Sequence, residues 1–200
     1  RDLHSFPTRR SSDLHIVSHA SQLLAESAVL GEEDKRLTEI VRTNADRVSS
    51  IIDNVLQLSR REPTRLERLS LREWLDEFRQ EFCETMQRTR DALQIAAPAS
   101  DIEVRADPSQ LHQVVWNLCE NAIKHGQAGL PDAPIEIRCG RLAPTARPYL
   151  EVADRGIGVP AEQAGKIFEP FFSGGQRGTG LGLFLARELA ATNEIGRAHV

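Results

Sequence analysis

Cysteine is scarce in this chain of 200 residues: Cys83, Cys119 and Cys139 are odd in number and far apart. They fit neither a disulfide framework nor a zinc-ligand pattern, and Cys119 reads as a small residue buried in a helix. Long hydrophobic runs are also lacking. No stretch approaches the roughly 18 apolar residues that a bilayer-spanning helix needs. Neither sign of charge dominates, since the formal net charge is −4 with 27% charged residues, so no polyanionic partner such as nucleic acid is implied. The composition predicts a soluble, intracellular fragment, and no internal repeat is visible.

The two ends carry a different signature. Arg1 to Leu14 and Glu194 to Val200, read back through the genetic code, contain inverted copies of one DNA segment of the kind used as sequencing adapters. Residues 1–14 and 194–200 are therefore expected to be adapter-derived and are excluded from fold reasoning. The remainder, 15–193, is read as truncated at both ends.

Periodicity organises that remainder. Leu37, Val41, Asn44, Val48, Ile51, Val55 and Leu58 alternate four- and three-residue steps, a heptad seam with Asn44 as its single polar member. A shorter amphipathic helix, Ser18 to Leu30, precedes it across a turn at Gly31. Two such helices cannot bury their seams alone, so residues 15–60 are expected to dimerise into a four-helix bundle. Residues 61–69, rich in arginine and glutamate around Pro63, read as a linker. Beyond it, helices are predicted over Leu71 to Met86, Ser109 to His125 (capped by Asp107-Pro108) and Leu181 to Thr192. Strands are predicted over Leu93 to Ala96, Ile102 to Arg105, Ile135 to Cys139 and Tyr149 to Ala153. Helices on one face of a mixed sheet make residues 70–193 an α+β sandwich.

Three motifs carry chemistry. The run Asp154-Arg-Gly156-Ile-Gly158-Val-Pro160 places a carboxylate at a strand end, where it can accept an exocyclic amine. Gly178-Thr179-Gly180-Leu181-Gly182-Leu183 opens a helix with the close backbone approach that phosphate binding requires. Upstream, Asn117, Asn121 and Lys124 fall four and three apart on one helical face, with His125 next in line. Asn121 offers a neutral carbonyl oxygen of the kind magnesium accepts.

In this order the three motifs resemble the N, G1 and G2 boxes of the sensor histidine kinase ATP-binding domain. Ile167-Phe-Glu-Pro-Phe-Phe172 resembles the intervening F box. The resemblance implies the fold shared with gyrase-type ATPases, with ATP and Mg2+ as cofactors. It implies that Asn121 holds the metal, that Asn117 supports the site, and that Lys124 and His125 reach the phosphates. It further implies that Asp154, Gly156 and Gly158 receive adenine, helped by Thr179. The glycine box from Gly178 to Gly182 would then cradle the phosphates, with Arg177 as a lid contact. Gyrase-type relatives carry glutamate where this chain has Asn117; asparagine cannot activate water, which favours phosphoryl transfer to a protein over hydrolysis.

The hairpin text, Ile16-Val-Ser-His19 onward and Asp53 to Arg61, is similar to the nitrogen-regulation type of kinase, in particular its pilus-regulating subtype. That implies a homodimer through the hairpin, a response regulator of the nitrogen-regulation class as partner, and a cytoplasmic kinase portion of an inner-membrane sensor. The family's His-Glu-x-x-Asn-Pro-Leu acceptor box would fall eleven residues before His19, at Thr8, inside the adapter-like segment. No catalytic acceptor is therefore assigned, and His19 reads as a bundle residue. The competing expectation is another member of the same ATP fold, an anti-sigma serine kinase or a chaperone-type ATPase. The hairpin directly before the ATP domain favours the histidine kinase.

Overall fold

The computed structural model describes residues 16–24, 31–59, 64–98, 100–126, 133–172 and 178–192. The chain divides into two compact units, residues 1–62 with 173–181 and residues 63–172 with 182–200. Both adapter-like segments lie outside the described residues.

The first unit is a helical hairpin. Helix α1 covers 16–24 and α2 covers Glu32–Ser59. The predicted residues 25–30 of the first helix lie outside the described set. Glu32, Glu33 and Asp34 fill the first turn of α2, where carboxylates complement the free N–H groups. Ser18 Oγ donates to Asp46 Oδ1 at 2.6 Å and ties α1 to α2. The side chains buried in this unit's helices are small: Ser21, Thr38, Ala45 and Ser49. The large apolar ones face outward, with Leu37, Val41, Val48 and Val55 between 43% and 58% exposed. The predicted heptad seam is thus real as a stripe on α2, but the hairpin does not bury it.

The second unit is an α/β assembly. It begins with strand β1 (Glu67–Ser70), then α3 (Leu71–Thr85), β2 (Leu93–Ala96), β3 (Glu103–Ala106) and α4 (Pro108–Gly126). There follow β4 (Ile135–Leu142), β5 (Arg147–Ala153), the one-turn helix α5 (Ala161–Ala164) and α6 (Gly182–Thr192). Among the described residues two sheets form where one was expected. β1 pairs antiparallel with β3, while β4 lies between parallel β2 and antiparallel β5. The linker expected over residues 61–69 is strand from Glu67 on, a correction whose cause is the pairing with β3.

Helix α3 starts where Ser70 Oγ accepts from Glu73 N at 3.2 Å. Leu71, Leu75, Phe78 and Phe82, at steps of four, three and four, are buried on one face. In β4 the alternation is equally strict: Ile135, Ile137 and Cys139 are buried, while Arg138 faces out and pairs with Glu136 and with Glu151 of β5. The core forms between these faces and Leu111, Val115, Cys119 and Ala122 of α4. Trp116 and His112 complete it as an aromatic wall, Trp116 edge-on to Phe82 at 5.0 Å and His112 stacked on Trp116 at 5.4 Å.

Candidate functional site

Helix α4 is the backbone of the site, and a buried carboxylate sets where it begins. Asp107 Oδ1 accepts from the N–H groups of Ser109 and Gln110 at 3.0 and 3.2 Å, capping the first turn. Its other oxygen accepts from Arg65 N at 2.8 Å, which binds the incoming chain to the same point. From this start the helix presents three sides. Leu111, Val115, Cys119 and Ala122 enter the main core. Val114 and Leu118 pack on Ala186, Leu189 and Ala190 of α6. Asn117, Asn121 and Lys124 share the third side, as the four-three spacing requires.

Asn117 and Asn121 are half-buried there, while Lys124 and His125 are exposed. Asn117 Nδ2 is shut off from solvent and has no hydrogen-bond partner among the described residues. An unmet buried donor of this kind costs about 1–3 kcal/mol. Gly182, the first residue of α6, lies close by: a Cβ built on it would stand 3.6 Å from Asn117 Oδ1. The structure therefore brings together the first residue of the asparagine motif and the last glycine of the downstream box. Lys124 is held by Glu120, Nζ to Oε2 at 3.0 Å. Sequence reasoning missed this partner, although a glutamate four residues before a lysine on a helix is its usual signal. His112 is structural: it packs on Phe78 and Trp116, and its Nε2 lies 3.2 Å from Glu81 Oε2.

Asp154 follows directly on β5, as the motif predicts for a carboxylate at a strand end. It is exposed, and its Oδ1 accepts from Gly156 N at 2.7 Å. This local turn orients the carboxyl group and leaves the second oxygen for a ligand donor. Gly158 has φ +73 with open space where a Cβ would be, so its glycine is required by backbone conformation. Between them Ile157 is 86% exposed, an apolar side chain turned to solvent at the mouth of the motif. The segment that follows winds through α5 and successive turns. Phe171 stands in the left-handed region at φ +65 and is exposed, a feature no sequence signal announces, because phenylalanine has no preference for that conformation.

The last glycine box is a tight turn. Gly180 has φ +68, and Thr179 Oγ1 accepts from Leu181 N at 3.3 Å. The Thr179 hydroxyl, expected to assist Asp154, is thus bonded inside its own turn. Gly178 to Leu181 belong to the first unit and Gly182 to the second. Arg177 lies outside the described residues. The cysteines take no part: Cys119 is buried beside the asparagine motif, and burial pushes its thiol up to about 12. Cys83 and Cys139 are buried and raised for the same reason.

The donors suit a nucleotide with its metal. An orphaned amide donor at Asn117 fits a phosphate oxygen, and the half-buried carbonyl of Asn121 fits a hard cation that keeps its waters. Among the described residues no cluster of three or more histidine, cysteine or carboxylate side chains stands ready to hold a metal.

Comparison with known proteins gives the same architecture. Residues 12–64 match the model of the His Kinase A (phospho-acceptor) domain. Residues 106–200 match that of the histidine kinase-, DNA gyrase B-, and HSP90-like ATPases. The chain is 41% identical to the sensor protein kinase PilS of Pseudomonas aeruginosa over 90% of its own length and 34% of that protein's. It is 28% identical to the sensor histidine kinase ZraS of Escherichia coli over 88% of this chain and 37% of that one. The chain thus spans about a third of the length of these curated relatives. Among solved structures, the catalytic domain of the histidine kinase ThkA superposes with a TM-score of 0.53 at 27% identity, covering 64% of this chain and 82% of that one. A full-length ShkA in complex with AMPPNP superposes at 0.62 with 22% identity over 94% of this chain and 40% of that one, a likeness of fold. With the hairpin model and the ATPase model matched in sequence order over most of its length, the chain belongs to the sensor histidine kinase family.

Proposed function

We propose that this chain is the transmitter core of a two-component sensor: it binds ATP with Mg2+, passes the γ-phosphate to a histidine, and serves an aspartate of a response regulator. The observation that carries this reading is the unmet amide of Asn117 beside Gly182. It sets the asparagine motif beside Gly182, the last glycine of the downstream box, at a point where a phosphate oxygen would supply the missing acceptor. Asn121 would hold the metal, Asp154 would accept the adenine amine, and Gly156, Gly158 and Gly178 to Gly182 would admit the nucleotide closely. When bound, the metal neutralises charge on the transferred phosphate. The side chains at 117 and 121 are amides, which hold and orient without removing a proton from water, so the γ-phosphate is kept for a protein acceptor.

The hairpin supplies the other half. Its outward apolar stripe on α2 supports a homodimer, and a ThkA structure in complex with a response regulator, a neighbour in fold at a TM-score of 0.63, supports such a partner. The resemblance of the hairpin sequence to the nitrogen-regulation type of kinase favours a regulator of that class and an inner-membrane parent with this core in the cytoplasm. No described helix is long and apolar enough to cross a membrane. The match of residues 12–64 to a phospho-acceptor model weighs against a serine kinase or chaperone ATPase.

None of the six histidines is followed by glutamate, so the sequence contains no His-Glu-x-x-Asn-Pro box. The test therefore provides the acceptor separately. With labelled ATP and Mg2+, the chain is expected to place acid-labile phosphate on an added hairpin peptide carrying that box, and none on itself. Asp154→Asn should weaken ATP binding by at least tenfold, because the substitution sets an amide donor against the adenine amine. No transfer to the added hairpin with ATP still bound would refute the kinase reading. Unchanged ATP affinity in the variant would remove Asp154 from the site, and acid-labile label on His19 would overturn the assignment of that residue to the bundle.

A further inference from the structure

We propose that Glu120 is a positioning residue of the nucleotide site: it holds Lys124 at the outer rim of the asparagine face and competes with phosphate for its ammonium group. The inference rests on the nucleotide reading above, in which Lys124 reaches the phosphates. Glu120 belongs to neither motif as a ligand. What singles it out is its Oε2, which accepts from Lys124 Nζ at 3.0 Å. Helix geometry decides which way this contact draws the lysine. One residue turns an α-helix by about 100°. With Asn117 as origin, Val114 and Leu118, which pack on α6, lie about 60° and 100° to one side, and Asn121 lies about 40° to that same side. Glu120 lies about 60° to the other side, away from α6, and Lys124 about 20° that way, between Glu120 and Asn121. Gly182, at the start of α6, stands beside Asn117. A phosphate that meets Asn117 and Gly182 therefore lies towards α6, and the Glu120 carboxylate draws the ammonium the opposite way.

The strength of the pair suits a competitor rather than a block. The side chains of Glu120 and Lys124 are 34% and 52% exposed, so water and salt screen their attraction. A lysine ammonium has three donors on a flexible four-carbon stem, and a stem that leans towards α6 gives up its short contact with the carboxylate. Each nucleotide that enters then breaks this pair, and each one that leaves lets it re-form. Glu120 thereby lowers affinity without touching the nucleotide. Its negative charge also repels the phosphates directly, whatever Lys124 does, so a test must separate the two effects.

A double-mutant cycle does so. The full 200-residue chain, Glu120→Gln, Lys124→Met and the double variant are each titrated with a fluorescent ATP analogue and Mg2+ at low ionic strength. Glutamine keeps the length and helix preference of glutamate and removes its charge. Glu120→Gln is expected to bind the analogue about two- to threefold more tightly, the scale of an exposed pair at this spacing. In the Lys124→Met background the same change should alter affinity by less than about 1.5-fold, because no ammonium is left to compete for. Added salt should erase the gain. Equal tightening in both backgrounds would mean that the carboxylate acts through its field alone. Weaker binding by Glu120→Gln would mean that Glu120 presents Lys124 to phosphate. Lys124→Met that binds like the parent would take Lys124 away from the phosphates. Any of these three overturns the competition while ATP binding stands, and a parent that binds no analogue overturns the nucleotide reading as well.

Discussion

Gly182 and Asn117 meet at the start of α6, and the space between them separates a structural role from a ligand role. A methyl group on Gly182 would contact Asn117 Oδ1 at 3.6 Å, an ordinary distance, so the protein itself has room for alanine. Alanine is also the better helix former, by up to about 1 kcal/mol in a helix interior and less in a first turn. Gly182→Ala is therefore expected to leave the thermal midpoint unchanged or slightly raised without nucleotide. Its affinity for a fluorescent ATP analogue should fall at least tenfold, because the methyl fills the approach to the helix N-terminus. Equal affinity of parent and variant would mean that phosphate does not come near Gly182. The glycine and asparagine spacing made this point legible in the sequence. Phe171 shows the opposite case: at φ +65 it occupies a conformation that its residue type disfavours by roughly 1–2 kcal/mol, so only the structure reveals it.

Elements rather than residues decide where α4 points, and Asp107 is the pivot. One carboxylate oxygen caps the helix through two N–H groups, and the other accepts from Arg65 at 2.8 Å. Asp107→Ala removes these acceptors from a buried position and should destabilise the second unit by about 2 kcal/mol. A urea titration followed by tryptophan fluorescence reads this directly, since Trp74 and Trp116 both pack against the core. An unchanged midpoint would mean that the helix start is held by packing alone. The Asp107-Pro108 pair was readable as a helix start. The same regularity made α3 legible, where apolar residues recur at steps of four and three, and β4, where they alternate. β1 was not readable: Glu67-Arg68-Leu69-Ser70 has no apolar alternation, and it becomes a strand because β3 offers it a partner. The hairpin's internal seam was equally hidden, since Thr38, Ala45 and Ser49 look like surface residues in the sequence and are buried in the structure.

At the scale of the whole molecule, two units with different sources of cohesion should not unfold as one. The α/β unit holds a connected aromatic and aliphatic core, whereas the buried side chains of the hairpin's helices are small. Scanning calorimetry of the 200-residue chain is expected to give two transitions. The hairpin's should rise with protein concentration, as mass action requires for a dimer, and the other should rise on adding ATP with Mg2+. A single transition, independent of both concentration and nucleotide, would contradict the two-unit picture.

The small residues inside the hairpin and the large ones outside have a consequence for abundance. If the proposed dimer covers this stripe, the paired species becomes a function of copy number. Well below the dissociation constant the share of chains in pairs rises in proportion to their concentration, so the number of pairs rises as its square. Halving expression would then cut the paired population about fourfold in that range. A hairpin that pairs this way depends steeply on its own dosage, to a degree set by how tightly Leu37, Val41, Val48 and Val55 are covered.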